Sequence, residues 1–264
     1  MTSAHSRFFA PPALSLRWIA VWRRNWLVWK RLAIPSILGN LADPLIMLFG
    51  LGYGLGAMVG NLQGSSYFAF LAAGFVSTST MYAATFESLF SAFSRMHVQR
   101  TWEGIVNAPM TLDDVLAGEC AWAATKAFAA GGCMMIIVTA FGYAHGPAAL
   151  AVLPVIVLLG LVFAALGLTV NALASGYDFF SYYMTLVLTP MMMLSGVFFP
   201  IEQMPAAVQA VAKVLPLHHG VAIVRPLLSG AEPPSLGLHL AVLAAYAIVG
   251  FYAATVLTRR RLLK

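Results

Sequence analysis

Long apolar runs, separated by short turns and a few islands of charge, organise this chain. From Leu32 to Ser94 the only charged side chains are Asp43 and Glu87. A bilayer core ~30 Å thick takes about 20 apolar residues per helix, and that length recurs along the sequence. The runs are continuous rather than alternating, so they predict helices and not the strands of a barrel. Six spans are expected, over about 36–59, 67–93, 120–143, 150–173, 179–199 and 236–257. The fold class is therefore an all-α integral membrane protein with one six-helix transmembrane domain over 36–258.

The segments between the spans carry their own patterns. Residues 1–14, with Ala10, Pro11 and Pro12, read as disordered. Over 15–32, Trp18, Trp22, Trp26 and Trp29 recur at helical spacing on one face, opposite Arg17, Arg23, Arg24, Lys30 and Arg31. Such a helix suits the membrane interface rather than its core, and Pro35 is expected to end it. The Asp43-Pro44 step is expected to bend the first span. A polar loop over 95–119 contains one or two predicted helical turns at 101–106, ended by Pro109. Thr111-Leu112-Asp113-Asp114 then resembles a capping box that opens the next helix. His145-Gly146-Pro147 marks a turn. Residues 201–235 hold two short apolar pieces, Pro205 to Leu215 and Leu217 to Leu228. Each is too short to cross, so they predict a re-entrant or surface helical hairpin between spans 5 and 6.

Composition agrees with the pattern: 61% of residues are hydrophobic and 9% charged, against about 25% charged in soluble domains. The formal charge of +6 reflects an inside bias of Lys and Arg rather than nucleic-acid binding. Six basic residues lie between Arg7 and Arg31, two in the 95–119 loop, and four at 259–264, a basic tail. Only Lys213 and Arg225 fall on the other side. An even span number with both termini cytoplasmic follows. Cys120 and Cys133 fit neither a disulfide framework nor a metal site.

Three charges lie within spans: Asp43, Glu87 and Lys126. Unpaired, each would cost ~2.5–3.5 kcal/mol at the bilayer centre. All three sit roughly 10 Å from the cytoplasmic ends of their helices at 1.5 Å per residue. Glu87 and Lys126, on consecutive antiparallel spans, are expected to pair. Whether the three serve helix packing or the handling of substrate and protons stays open at this point. Gly52, Gly56 and Gly60 form a small-residue face that permits close helix approach. Trp102, Ile105 and Val106 on the loop suggest a docking surface, with interfacial anchoring of Trp102 as the other reading. His218-His219 point in different directions on a helix and do not suggest a metal. There is no P-loop, no HExxH and no nucleophile elbow around Ser195, so no means of ATP hydrolysis or covalent catalysis is evident.

The stretches Arg100-Thr101-Trp102-Glu103-Gly104, Asn107-Ala108-Pro109-Met110-Thr111 and Gly118-Glu119 resemble the permease subunit of type-2 ABC exporters. So do Leu194-Ser195-Gly196, Phe199-Pro200, Met204-Pro205, Leu215-Pro216-Leu217 and Arg225-Pro226. With Ala121-Trp122-Ala123-Ala124-Thr125-Lys126 included, the loop is most similar to the nodulation protein J group of lipo-oligosaccharide exporters. The resemblance covers nearly the whole chain. It implies a homodimer of permeases on two copies of a separate ABC ATPase, which binds ATP and Mg; no cofactor is expected on this chain. It implies a coupling loop at Thr101, Trp102, Glu103, Gly104, Ile105, Val106 and Pro109, and a connecting helix at 15–32. It implies an outer gate at Ser195, Gly196, Pro200, Pro205, Pro216 and His218. The pathway would run at the dimer seam along spans 1, 2 and 5. Its cargo would be an amphipathic glycolipid, a lipo-chitooligosaccharide in the nodulation group. Tyr53, Phe75, Tyr82, Phe86, Tyr182 and Tyr183 are candidate aromatics for stacking on sugar or acyl groups, with plain packing as the alternative.

Other readings stay in view. A drug or polysaccharide exporter would share the architecture. An ion-coupled secondary carrier would use Asp43, Glu87 and Lys126 without an ATPase. An enzyme would need to draw on Asp178, Glu202, His218 and His219, which the topology does not bring to one side.

Overall fold

The computed structural model describes residues 8–62, 64–106, 109–144 and 146–263. The expected disorder of 1–7, the residues Asn107, Ala108, His145 and Lys264, and the side chain of Val106 lie outside the described residues. Five helical stretches are long and apolar enough to cross a membrane, six if the bent pair Ala206–Ala212 and Pro216–Leu228 is counted as a span; the expected span over 179–199 is not among them. The chain is an all-α membrane protein.

Helix α1 (Trp18–Trp29) passes through a 3-10 turn at Lys30–Leu32 into α2 (Ala33–Gly54). The junction falls at that turn and not at Pro35, as the sequence suggests. Pro35 sits in the first turn of α2, where its missing N–H would have had no helical partner anyway. Helix α2 continues through Pro44, and a short α3 (Gly56–Val59) follows. Gly60 (φ 69°) breaks the helix, and a two-residue hairpin, β1 (Asn61–Leu62) with β2 (Ser65–Ser66), turns the chain. The next stretch is α4 (Tyr67–Phe86), extended by π turns at Glu87–Ser91 and Ser94–Val98.

Helix α5 (Thr101–Val106) lies in the following loop, and α6 (Leu112–Ala140) opens on the capping box of Thr111 and Asp114. Helix α7 (Val152–Leu173) comes next. A helical run follows as α8 (Tyr177–Tyr183), a π turn at Met184–Leu188 and α9 (Thr189–Leu194). This run ends at Ser195, where Gly196 (φ 79°) turns the chain, and not at Pro200 as expected. Helices α10 (Ala206–Ala212) and α11 (Pro216–Leu228) meet at 88°. Neither arm approaches the roughly 20 residues of a crossing, so the pair is a hairpin. Helix α12 (Leu236–Leu262) closes the fold.

Helix α4 is the buried axis. Only Ala69, Tyr82 and Phe86 among its residues are not buried, and it packs against α2, α6, α7 and α11. Its hydroxyls turn inward upon the helix itself. Thr78 and Thr80 donate to the carbonyls of Gly74 and Val76, at 2.9 and 2.8 Å, which satisfies these two hydroxyls without water; Ser77 Oγ and Thr85 Oγ1 are unpartnered among the described residues. Gly131, Gly160 and Gly167 let α6 and α7 close on their neighbours; a Cβ at Gly160 would stand 3.0 Å from that of Ala127. Helix α12 packs on the outside of α7.

The stretch 8–14 is not disordered. Asp113 accepts from the Ala13 N–H at 2.8 Å, and Asp114 accepts from the Ser15 N–H at 2.8 Å. Arg259 binds the Asp113 carboxylate through two nitrogens and also donates to the carbonyl of Ala10 at 2.6 Å. Residues 259–262 of the expected basic tail form the last turn of α12, with Arg259 buried. The first-turn carboxylates of α6 are the cause: they offer acceptors that both chain ends use. Replacing Asp113 with Ala leaves Arg259 without its ion pair. Thermal or denaturant unfolding in detergent is expected to show a loss of about 3–5 kcal/mol, with faster proteolysis ahead of Trp18; unchanged stability would contradict the assignment.

Candidate functional site

A groove of about 810 Å³ lies between α2, α4 and the 184–192 stretch. Ser36, Asn40, Asp43 and Lys126 give one part of its wall polar character. Ile46, Met47, Phe75, Phe86, Met184 and Met192 make the rest apolar. Asp43 is exposed and forms no ion pair among the described residues. Tyr82 reaches across towards Met192, its hydroxyl 3.9 Å from the sulfur. Of the six aromatics considered from sequence, Phe75, Tyr82 and Phe86 line this groove and Tyr53, Tyr182 and Tyr183 do not. Tyr53 packs on Phe49 and Phe68, with ring centroids 6.0 and 5.1 Å away.

Behind the groove wall is a cluster of four charges. Lys126 Nζ donates to Glu87 Oε2 at 2.8 Å, the pair that their positions imply. The other Glu87 oxygen accepts from Arg95 at 2.8 Å and from the Trp122 indole at 2.9 Å. Arg95 also grips Glu119, through Nε at 3.0 Å and Nη2 at 2.5 Å. Glu119 in turn accepts from Trp102 Nε1 and Asn25 Nδ2, both at 3.2 Å. Two carboxylates and two cations balance, and every carboxylate oxygen has a donor. That balance makes such a cluster tolerable away from water.

Local folding explains how these residues meet. Arg95 and Glu119 read in sequence as parts of a loop, but helix extends to Val98 and resumes at Leu112. The loop is therefore shorter, and both side chains lie on helices that face each other. The spacing of eight between Glu87 and Arg95 is the signal that was available: it returns to one face of a helix after two turns. The π turns shift that register, and Asn171 of α7 donates to the carbonyls of Ser88 and Leu89 at 2.9 and 3.3 Å beside the first turn.

The loop helix sits differently from expectation. Trp102 is buried, held by Glu119 and packed with Leu89, Phe93, Met96 and Leu112. Ile105 is half-buried, while Glu103, Gly104 and Pro109 face outward. Arg17 donates to the Pro109 carbonyl. The tryptophan face of α1 is likewise in large part an internal contact, with Trp26 exposed. Trp22 donates to Thr125 at 2.9 Å, and the Trp29 ring lies 5.8 Å from that of Trp122. Gly118 admits this approach: a Cβ there would stand 2.5 Å from Val21. Indoles that suit an interface pack equally well on another helix that presents a gap.

At the opposite end, Arg225, part of the Arg225-Pro226 stretch, is a residue to which the sequence assigned no site role. Its guanidinium stacks 3.6 Å over Phe70 and donates to the Gly196 carbonyl at 2.6 Å. Ser195 and Gly196 are buried beneath it, with Ser195 Oγ unpartnered among the described residues. Pro200 precedes a 3-10 turn, Pro205 caps α10 and Pro216 starts α11. His219 bridges α11 to α12: Nε2 donates to the Lys213 carbonyl at 2.9 Å, and Nδ1 lies 2.7 Å from His239 Nδ1. With Nε2 protonated in the neutral ring, Nδ1 accepts from His239. His218 is half-buried beside them.

Comparison with known proteins agrees with this geometry. The profile of the ABC-2 type transporter family matches residues 17–228. Nodulation protein J of Rhizobium meliloti (strain 1021) is 52% identical over 254 residues, covering 96% of this chain and 97% of that protein. Nodulation protein J of Rhizobium leguminosarum bv. viciae is 53% identical over 253 residues, with 96% and 98% coverage. The inner membrane transport permease YadH of Escherichia coli (strain K12) is 24% identical over 246 residues, with 90% and 94% coverage. The chain belongs to the ABC-2 type transporter family and is a membrane permease of that class.

Burial predicts opposite outcomes for adjacent loop residues. Trp102→Ala is expected to cost about 3–5 kcal/mol of unfolding free energy. Glu103→Ala is expected to stay within about 0.5 kcal/mol of the native chain. Chemical unfolding in detergent checks both, and equal values would place Trp102 outside the core.

Proposed function

We propose that this permease exports an amphipathic glycolipid of the lipo-oligosaccharide kind, with a lipo-chitooligosaccharide as the leading candidate. The groove carries this reading. Its polar part at Ser36, Asn40, Asp43 and Lys126 offers donors and acceptors to a hydroxyl-bearing head. Its apolar part at Ile46, Met47, Phe75 and Met192 accepts an acyl chain, and Tyr82 and Phe86 present aromatic surface between. Likeness to nodulation protein J over nearly the whole chain supports the same class of cargo.

In this reading two permeases pair with their grooves at the seam, in a bacterial inner membrane with both termini in the cytoplasm. Two copies of a separate ABC ATPase supply the energy and hold ATP and Mg. Helix α5 is the coupling element, and its outward residues Glu103 and Gly104, with Pro109, form the docking surface. Trp102 anchors that element to the membrane domain. The hairpin α10–α11, held by Arg225, acts as the outer gate. An ion-coupled carrier is disfavoured because Glu87 is already occupied by Arg95 and Lys126. The one intramembrane carboxylate left without an ion pair among the described residues is Asp43.

Gly104 tests the docking surface without disturbing the chain, since a Cβ there meets nothing within 4 Å. Gly104→Trp is expected to fold normally yet to lose at least about tenfold in affinity for the ATPase, a change of 1.4 kcal/mol. Co-purification and cargo-stimulated ATP hydrolysis in proteoliposomes measure this. Native coupling in the variant would move the docking site elsewhere. A native chain that engages no ATPase would overturn the exporter reading.

A further inference from the structure

The charge cluster joins the two places that an exporter must connect, the loop helix and the groove. Helix α5 reaches it twice: Trp102 Nε1 donates to Glu119 at 3.2 Å, and Thr101 Oγ1 donates to the Arg95 carbonyl at 2.9 Å. One contact falls on the carboxylate that holds Arg95 and the other on the backbone that carries Arg95. Any displacement of α5 therefore acts on Arg95. At the other end Lys126 stands in the groove wall. Glu87 lies between, with Oε1 given to Arg95 and Oε2 to Lys126.

We propose that Glu87 is a positioning residue that couples the placement of α5 to the availability of the Lys126 ammonium in the groove. This rests on the reading of the chain as an ATP-driven exporter. The physical reason is competition for one buried carboxylate. While Arg95 is engaged, the charge of Glu87 is compensated, and Lys126 can turn towards an oxygen acceptor on the polar head of an amphiphile. When α5 draws Arg95 away, Lys126 becomes the remaining compensating cation, because an unpaired carboxylate at this depth is costly. The ammonium is then withdrawn from the cargo. Linkage makes the effect reciprocal: cargo that holds Lys126 favours the placement of α5 in which Arg95 stays engaged.

Two π turns interrupt the helix that carries Glu87 and Arg95. Glu87 opens one π turn and Arg95 lies in the next. Such turns hold an extra residue and occur frequently at functional sites. Lys126 keeps 12% of its side-chain surface exposed, whereas Glu87 keeps 3%; the cation is the member with freedom to swing.

The test compares variants in proteoliposomes that also contain the partner ATPase, with a fluorescent lipo-chitooligosaccharide as the probe. The readout is probe moved per ATP hydrolysed. Glu87→Gln is expected to lower that ratio at least about fivefold, the lower end of usual coupling energies. Lys126→Arg, which keeps the pair, is expected to restore most of the native ratio, and Lys126→Met to lose it. Thr125→Val removes the Trp22 bond outside the cluster and should leave the ratio native. A native ratio in Glu87→Gln, or an equal fall in Thr125→Val, would overturn the proposal. If Glu87→Gln does not assemble, Lys126→Met decides alone, since it leaves Glu87 with Arg95 and Trp122; a native ratio there also overturns it. A native chain without probe-stimulated hydrolysis would sink the exporter reading instead.

Discussion

A carboxylate inside a membrane must find its partners within the protein, and Glu87 sets that constraint for the whole charged end of this molecule. Satisfying both of its oxygens takes Arg95, Lys126 and Trp122. Arg95 then needs Glu119, and Glu119 needs Trp102 and Asn25. One buried charge thus fixes the relative position of α1, α4, α5 and α6. A cluster of this kind adds little net stability compared with apolar packing. It specifies one arrangement, because each displaced member leaves another charge uncompensated.

Placement of the loop helix follows from the same constraint. Trp102 is drawn inward to supply a donor, so α5 is a tethered piece with one face in the core and one outside. A coupling element has to be both attached and accessible, and this division of faces fits the coupling role proposed for it. The groove inherits a cation from the cluster in the same way, since Lys126 serves Glu87 while forming part of the groove wall.

The opposite end is held by a different device. Arg225 donates to the backbone carbonyls of Phe70 and Gly196 and lies over the face of Phe70, with the negative charge of Glu202 acting on it. Backbone acceptors at the Gly196 turn are released when that turn moves, as the outer-gate role proposed for the hairpin requires. The His219–His239 contact ties the same hairpin to α12.

Much of this was written in the sequence. Apolar length and sparse charge determined that the spans are helices and placed five of them, because a bilayer offers backbone groups no water; the expected span over 179–199 is not among the five long apolar helices. Thr111 with Asp114 announced the start of α6, and the levels of Glu87 and Lys126 announced their pairing. What the sequence left undecided was the direction in which amphipathic side chains turn. Trp102, Trp22 and Trp29 suit a lipid interface as well as a helix–helix contact, and only the gap at Gly118 and the acceptor on Glu119 settle the choice. Arg95 and Glu119 looked like loop residues until the helices proved longer, and the anchoring of 8–14 required Asp113 and Arg259 to meet across 146 positions. Local periodicity fixes what a segment is. Which polar groups complete one another is decided by tertiary packing, since that is a property of pairs far apart in the chain.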